Sequence, residues 1–454
     1  VSAVLTEGLS LVPGVFSGTS EDGELRVLLG LRSHSLGEAD PWKHDLLRSL
    51  ARGRLQTAHP PAGEVADLLE GLRSGGWLSR VVARGERPLY TVRPLLPPRP
   101  DPGVAPRGLV LSRFAVVHRE ADELVIESPL AWAQVHLHDP ALLEVLGWLA
   151  DPGRLAVPGT ELGLLYHDLY WARLAVPAEG PEERELRLRQ WSPHELWFHR
   201  RTRISDRADL SSGYGRTLWA EGRFEQPPTR PEPYPGPAVQ LFRPDLDELR
   251  RADPPLAAVM EDRRSDRVHD DSRPITVGQL GELLYRSARV RTVTDAQGRA
   301  HLSRPYPAGG SVFELEIYPV VRLVDGLDPG IYHYDSHEHR LVLVRGPGPE
   351  MGKLLATARR GTFERRTPQV LLVVTARFGR LMWTYEQMPY SLILKHVGVL
   401  YQTLYLAASA MGLAACGLGG GDADAINQAS GRDYTVESAV GEFLVGSRPE
   451  GGHA

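Results

Sequence analysis

Residues 390–427 read YSLILKHVGVLYQTLYLAASAMGLAACGLGGGDADAIN. Apolar side chains at 394, 397, 401, 404, 408 and 411 recur at alternating intervals of three and four. This spacing predicts a helix from Tyr390 to Met411 with a narrow packing seam on which a second chain can dock. The helix gives way to Cys416-Gly417-Leu418-Gly419-Gly420-Gly421-Asp422. Glycines there let backbone approach a flat ligand and offer unobstructed N–H donors. The stretch is not a P-loop, since no GxxxxGK occurs, and it does not complete GxGxxG, because position 422 is Asp. A nicotinamide Rossmann site is therefore disfavoured.

Working outward, Val370–Val374 is a continuous apolar run expected of a strand buried on both faces. Glu314–Val321 alternates as a strand, and Ile331–Tyr334 with Leu341–Val344 reads as a hairpin across Ser336–His339. Ile275–Ser287 has helical spacing, with Leu280, Leu283 and Leu284 on its apolar side. Two further stretches carry chemistry. Arg263-Arg264-Ser265-Asp266-Arg267 gathers guanidinium forks and a hydroxyl that suit a phosphate dianion, although a solvated charged turn is the plainer reading of the motif alone. Pro307-Ala308-Gly309-Gly310-Ser311 is a second glycine turn, just ahead of the strand at Glu314.

The N-terminal half is organised differently. Helical patterns at Lys43–Arg52 and Gly63–Ser74 are followed by a hairpin through Trp77–Val82 and Leu89–Val92, a plan like a winged helix. A second such plan is expected at 107–210, with strands at Glu123–Ile126 and Gln134–Leu137 and helices at Pro140–Leu149 and Thr160–Leu174. Proline-rich stretches at 95–106 and 226–237 punctuate the chain. At about 150 residues per domain, 454 residues predict about three domains. The expected division is a winged-helix-like module at 1–100, a second at 107–210, a linker at 211–237 and a chemical domain at 238–454.

Composition narrows the function classes. Hydrophobic residues at 42% and charged residues at 24% describe a folded, soluble chain. A net charge of -5 argues against a nucleic-acid footprint. No apolar run reaches membrane-spanning length and no signal peptide is expected, so the predicted location is cytoplasmic, without membrane association. The lone cysteine, Cys416, fits a reducing compartment and reads as packing rather than redox chemistry. His136 and His138 share a strand face with no third ligand nearby, so no metal site is predicted. The 52 basic residues include only three lysines, Lys43, Lys353 and Lys395. That skew looks like the coding bias of a GC-rich bacterial genome.

Taken in order, RRSDR at 263–267, PITVGQLGELLY at 274–285, RPYPAGGSVFELEIYPVV at 304–321, GLDPGIYHYDSHEHRLVLV at 326–344, the stretch 397–427 and VGEFLVGS at 440–447 resemble the flavin-dependent nitroreductase superfamily. Within it they resemble the SagB-like azoline dehydrogenases of ribosomal peptide biosynthesis. The resemblance covers roughly the last 200 residues, and it lies in order and spacing. It implies an α+β fold: a nitroreductase-like flavin domain preceded by the two winged-helix-like modules. It also implies a homodimer with FMN at the subunit interface.

By motif match, Arg263, Arg264, Ser265 and Arg267 would hold the FMN phosphate and ribityl or ring edge, with Ser447 and Arg448 closing the site. Pro307, Ala308, Gly309 and Ser311 would come from the partner chain. Leu418, Gly419 and Gly420 would lie against the isoalloxazine, where a backbone N–H near N5 favours the reduced flavin. The second serine often present in the family's segment is Ala308 here.

The reaction implied is oxidation of thiazolines or oxazolines in a precursor peptide to thiazoles or oxazoles, with dioxygen reoxidising the flavin. A cyclodehydratase complex is the implied partner, and the N-terminal modules would dock the leader peptide or build the dimer. The family commonly carries a Lys-Tyr pair after the buried strand, and the matching positions are Thr384 and Tyr385. Tyr385 is the expected proton acceptor, Lys395 is the candidate for the missing ammonium, and His396 and Glu386 are reserves. Two alternatives stay open: another nitroreductase-fold reaction on a small molecule, and a non-catalytic leader-binding scaffold.

Overall fold

The computed structural model describes residues 5–53, 55–56, 63–151, 160–210, 217–296, 299–363 and 366–450. The chain divides into two compact units, 1–214 and 215–454.

In the first unit, the two helices Pro41–Arg52 and Glu64–Ser74 precede a hairpin of Leu78–Arg84 and Arg87–Pro94. The strands do not separate into two modules. Arg87–Pro94 pairs with Ala133–Leu137, so a single antiparallel seven-stranded sheet runs through both regions, in the order 55–56, 5–11, 78–84, 87–94, 133–137, 123–127, 116–120. This corrects the expectation of two separate winged-helix-like modules. The proline-rich stretch beginning at Leu95 does not break the sheet, because the Leu95 and Leu96 N–H groups donate to Trp132 O at 2.7 and 3.0 Å. A backbone with few donors still pairs wherever a donor is present.

The second unit is built on an antiparallel sheet in the order 238–240, 340–345, 330–335, 315–321, 370–377, 437–447, 413–418. The strand Val370–Arg377 is buried along its whole length, as its apolar run predicts. Its alternation decides which layer each side chain joins. Leu372 and Val374 join the core formed with Val277–Ala288 and the long helix Pro389–Ala410, whereas Leu371 and Val373 join the core formed with Pro349–Gly361 and Ala423–Ser430. Helices thus cover both faces.

The long helix matches its predicted span within a residue, but its seam is turned. Ile393, His396, Val397, Leu400, Leu404, Ala407 and Ala408 are buried, while Leu394 is 40% exposed. Pattern alone cannot say which of two overlapping stripes meets the sheet.

The expected linker is also corrected, since 217–237 belongs to the second unit. Prolines cannot donate, but their carbonyls accept. Arg377 donates to Pro228 O and Thr229 O at 2.5 and 3.0 Å, and Arg380 donates to Pro227 O at 3.0 Å. Arg230 pairs with Asp335 at 2.7 Å, and Tyr234 Oη lies 3.1 Å from Tyr318 Oη. The segment is a strap laid on the domain. No helix among the described residues is long and apolar enough to cross a membrane.

Candidate flavin site

The glycine-rich stretch becomes the strand Leu413–Leu418, a turn through Gly419–Gly421, and the helix Ala423–Ser430, whose first turn is capped by Asp422 Oδ1 accepting from Ala425 N–H at 2.9 Å. Beside the turn lies a cleft of about 300 Å³, walled by Val397 and Tyr401 of the long helix and by Ala439–Glu442 of the last strand. A Cβ added at Gly419 or Gly420 would meet nothing within 4 Å, so this backbone faces open space.

The arginine segment is anchored to the same place by Tyr405. Its Oη accepts from Gly417 N–H at 2.7 Å and lies 3.0 Å from Ser265 Oγ. The Arg263 guanidinium sits 5.3 Å from the Tyr405 ring centroid, a cation–π contact. Asp266 N–H donates to Ala415 O at 2.9 Å, and the Asp266 carboxylate pairs with Arg448 at 3.1 Å. Ser447 Oγ turns away from this group and donates to Asp270 O at 2.9 Å. Arg263 and Ser265 are therefore brought to Gly417, just ahead of the glycine turn, whereas Arg448 lies at the other end of that strand, where it donates to Leu413 O at 3.4 Å. Arg264 is exposed, and Arg267 reaches only Ser265 O, at 3.5 Å. The Arg263 guanidinium and the Ser265 hydroxyl near an open glycine turn suit a phosphate-bearing planar group. Tyr401 Oη is buried at the cleft wall, where the Glu442 backbone meets it.

Pro307–Ser311 lies elsewhere, near the start of the long helix. Gly309 N–H donates to His396 Nε2 at 2.7 Å, and His396 Nδ1 meets Glu314 Oε1 at 2.7 Å. With Nε2 accepting, Nδ1 carries the proton and donates it to the carboxylate. Gly310, at φ +59°, is followed by Ser311 at +55° and Phe313 at +49°. Left-handed non-glycine residues are costly and concentrate at functional loops. Ala308 packs against the main core.

Tyr385 is half-buried, and its Oη would stand 3.0 Å from a Cβ at Gly310. Lys395 is exposed and has no hydrogen bond or ion pair to any described residue, so within one chain it does not supply an ammonium to Tyr385. His396 and Tyr405 are nine residues apart on one helix, roughly 13 Å along its axis. The His396 and Tyr405 clusters are thus separate on one chain.

Sequence reasoning missed Tyr405, Tyr401, the Glu314–His396 pair as a loop clamp, and Glu442. The signal for Glu442 is a lone acid inside the apolar run Ala439–Val445.

Residues 260–446 match the nitroreductase family model. This segment has a nitroreductase-like fold. Residues 109–208 match the model of the cyanobactin oxidase ThcOx. The chain is similar to a protein of Methanocaldococcus jannaschii named as a nitroreductase, with 28% identity over 184 residues, 40% of this chain and 85% of the relative. It is similar as well to the trifolitoxin-processing protein TfxB of Rhizobium leguminosarum bv. trifolii, with 28% identity over 166 residues, 36% of this chain and 44% of the relative. Among solved structures, the E. coli microcin synthetase McbBCD complex with truncated pro-MccB17 aligns with a TM-score of 0.35 and 18% identity, covering 52% of this chain and 88% of that one.

Proposed function

We propose that the chain is an FMN-dependent dehydrogenase that oxidises azolines in a ribosomally made peptide to azoles. The observation that carries the reading is the open glycine turn joined through Tyr405 to the arginine segment, inside a nitroreductase-like domain. Support for a peptide-modifying oxidase comes from both parts of the chain: the cyanobactin oxidase match over 109–208, and the likeness to a trifolitoxin-processing protein.

When bound, FMN supplies a two-electron acceptor. Arg263, Arg264, Ser265, Arg267 and Arg448 would hold its phosphate and polar edge, with Leu418, Gly419 and Gly420 along the ring. The azoline loses two hydrogens as a proton and a hydride equivalent, and dioxygen takes up the electrons. Tyr385, seated against Gly310, accepts the proton. The half-site of Pro307, Ala308, Gly309, Ser311 and Tyr385 from one chain would complete the arginine–glycine cleft of a second, giving a homodimer with shared sites. The first unit would bind the precursor peptide, a cyclodehydratase complex would deliver the azolines, and the work would take place in the reducing cytoplasm.

The test is anaerobic mixing of the oxidised, FMN-loaded protein with an azoline peptide. Bleaching of the flavin band, and its return on admitting air, is expected. A flavin that stays oxidised with the azoline peptide contradicts the reading.

A further inference from the structure

The last strand carries one acid inside an apolar run, Ala439-Val440-Gly441-Glu442-Phe443-Leu444-Val445. Glu442 is 5% exposed and sits in register between Leu418 on one neighbouring strand and Val373 on the other. Its carboxyl lies directly under the glycine turn. A Cβ at Gly421 would stand 2.0 Å from the Glu442 carboxyl carbon, so a larger residue there would displace that side chain.

The groups facing Glu442 do not neutralise an anion. Asp422, next to Gly421, is a like charge. Tyr401 of the long helix brings a phenol whose Oη lies beside Gly441 and meets the Glu442 backbone rather than its carboxylate. No described cation pairs with the carboxylate. Burial first, and then Asp422, push Glu442 up to about 7. An ionised carboxylate buried without a cation is costly, and it is relieved by taking up a proton or by moving toward water.

We propose that Glu442 is the positioning residue of the glycine-rich turn: its neutral carboxyl seats Gly419–Gly421 for FMN, and its ionised form, repelled by Asp422, withdraws that seat. The inference rests on the flavin reading above. FMN affinity is then linked to one proton at position 442. A negative charge beneath the turn also disfavours electron uptake, so the flavin midpoint potential falls more steeply with pH while that proton is being lost.

The experiment measures the FMN dissociation constant of the full chain by flavin fluorescence from pH 5.5 to 8.5, in wild type, Glu442→Gln and Asp422→Asn. Wild type should weaken by about tenfold across the range, as expected for one proton held ten times more tightly in the complex. Glu442→Gln should keep the low-pH affinity throughout. Asp422→Asn retains a capping side chain and removes the like charge, so Glu442 ionises more readily and the transition should move to lower pH; a shift to higher pH contradicts the inference. The Asp422→Asn arm keeps the proposal testable if Glu442→Gln does not fold. Parallel pH profiles for wild type and the variants overturn the inference while leaving the flavin reading intact. No FMN binding at any pH overturns both.

Discussion

Tyr405 Oη accepts from Gly417 and meets Ser265, so one phenol ties the glycine turn to the arginine segment. Tyr405→Phe removes both contacts, each worth about 1 kcal/mol. FMN binding should weaken by roughly tenfold or more with the fold retained, and an unchanged dissociation constant in a fluorescence titration would contradict the tie. At the other half-site, Tyr385→Phe should abolish turnover while the protein stays yellow, and wild-type activity would sink the assignment of the proton acceptor.

Glu442 also makes a stability prediction. Its folded-state value, raised to about 7, lies above the ordinary value of 4.5. The folded state therefore holds a proton that the unfolded chain releases, and the stabilisation, complete below pH 4.5, is lost as pH rises toward 7. Glu442→Gln should match wild type near pH 4.5 and exceed it above pH 7, by on the order of 3 kcal/mol at most. Melting temperatures measured across that range check the sign.

At the scale of elements, the strap and the Pro307–Ser311 loop share one residue. Arg380 donates to Pro227 O on the strap and to Val312 O just past the loop, at 3.0 and 2.9 Å. Burial, and then Arg377, lower this guanidinium to about 10, so it stays charged at neutral pH. Arg380→Ala should cost about 2–4 kcal/mol, because charged hydrogen bonds are lost and buried carbonyls are left bare. It should also expose the strap to limited proteolysis, and an unaltered digestion pattern would show that the strap is held by other means.

The strap was not legible in the sequence, because proline density signals an extended chain without saying what that chain lies on. The strand Val370–Arg377 and the long helix were legible, since each is set by its own apolar pattern. The helix's buried face was not: Leu394 fits the periodicity as well as Ile393 does, and only the packed sheet chooses between them. Likewise RRSDR and the glycine turn could be picked out as motifs, but their meeting depends on Tyr405, an aromatic that reads as core. Lys395 stood out by rarity alone, and rarity does not place a side chain.

On the scale of the whole molecule, the first unit's continuous sheet replaces two small modules with one body. If that body binds the precursor, the full chain should show a markedly higher KM for a core peptide lacking its leader than for the complete precursor, with kcat little changed. Equal KM values would assign the unit to assembly. The separation of Tyr385 from the arginine cleft within one chain predicts complementation: mixing inactive Tyr385→Phe and Arg263→Ala proteins should restore activity through hybrid dimers carrying one intact site. No recovery after subunit exchange would place both half-sites in the same chain.

If the nitroreductase-like domain dehydrogenates peptide azolines, as proposed, each ring loses two hydrogen atoms. Mass spectrometry of an azoline-containing precursor incubated aerobically with the FMN-loaded full chain tests it most directly. The account predicts loss of two hydrogen atoms for each ring oxidised, dependent on Tyr385; an unchanged peptide mass with FMN fully bound would contradict it.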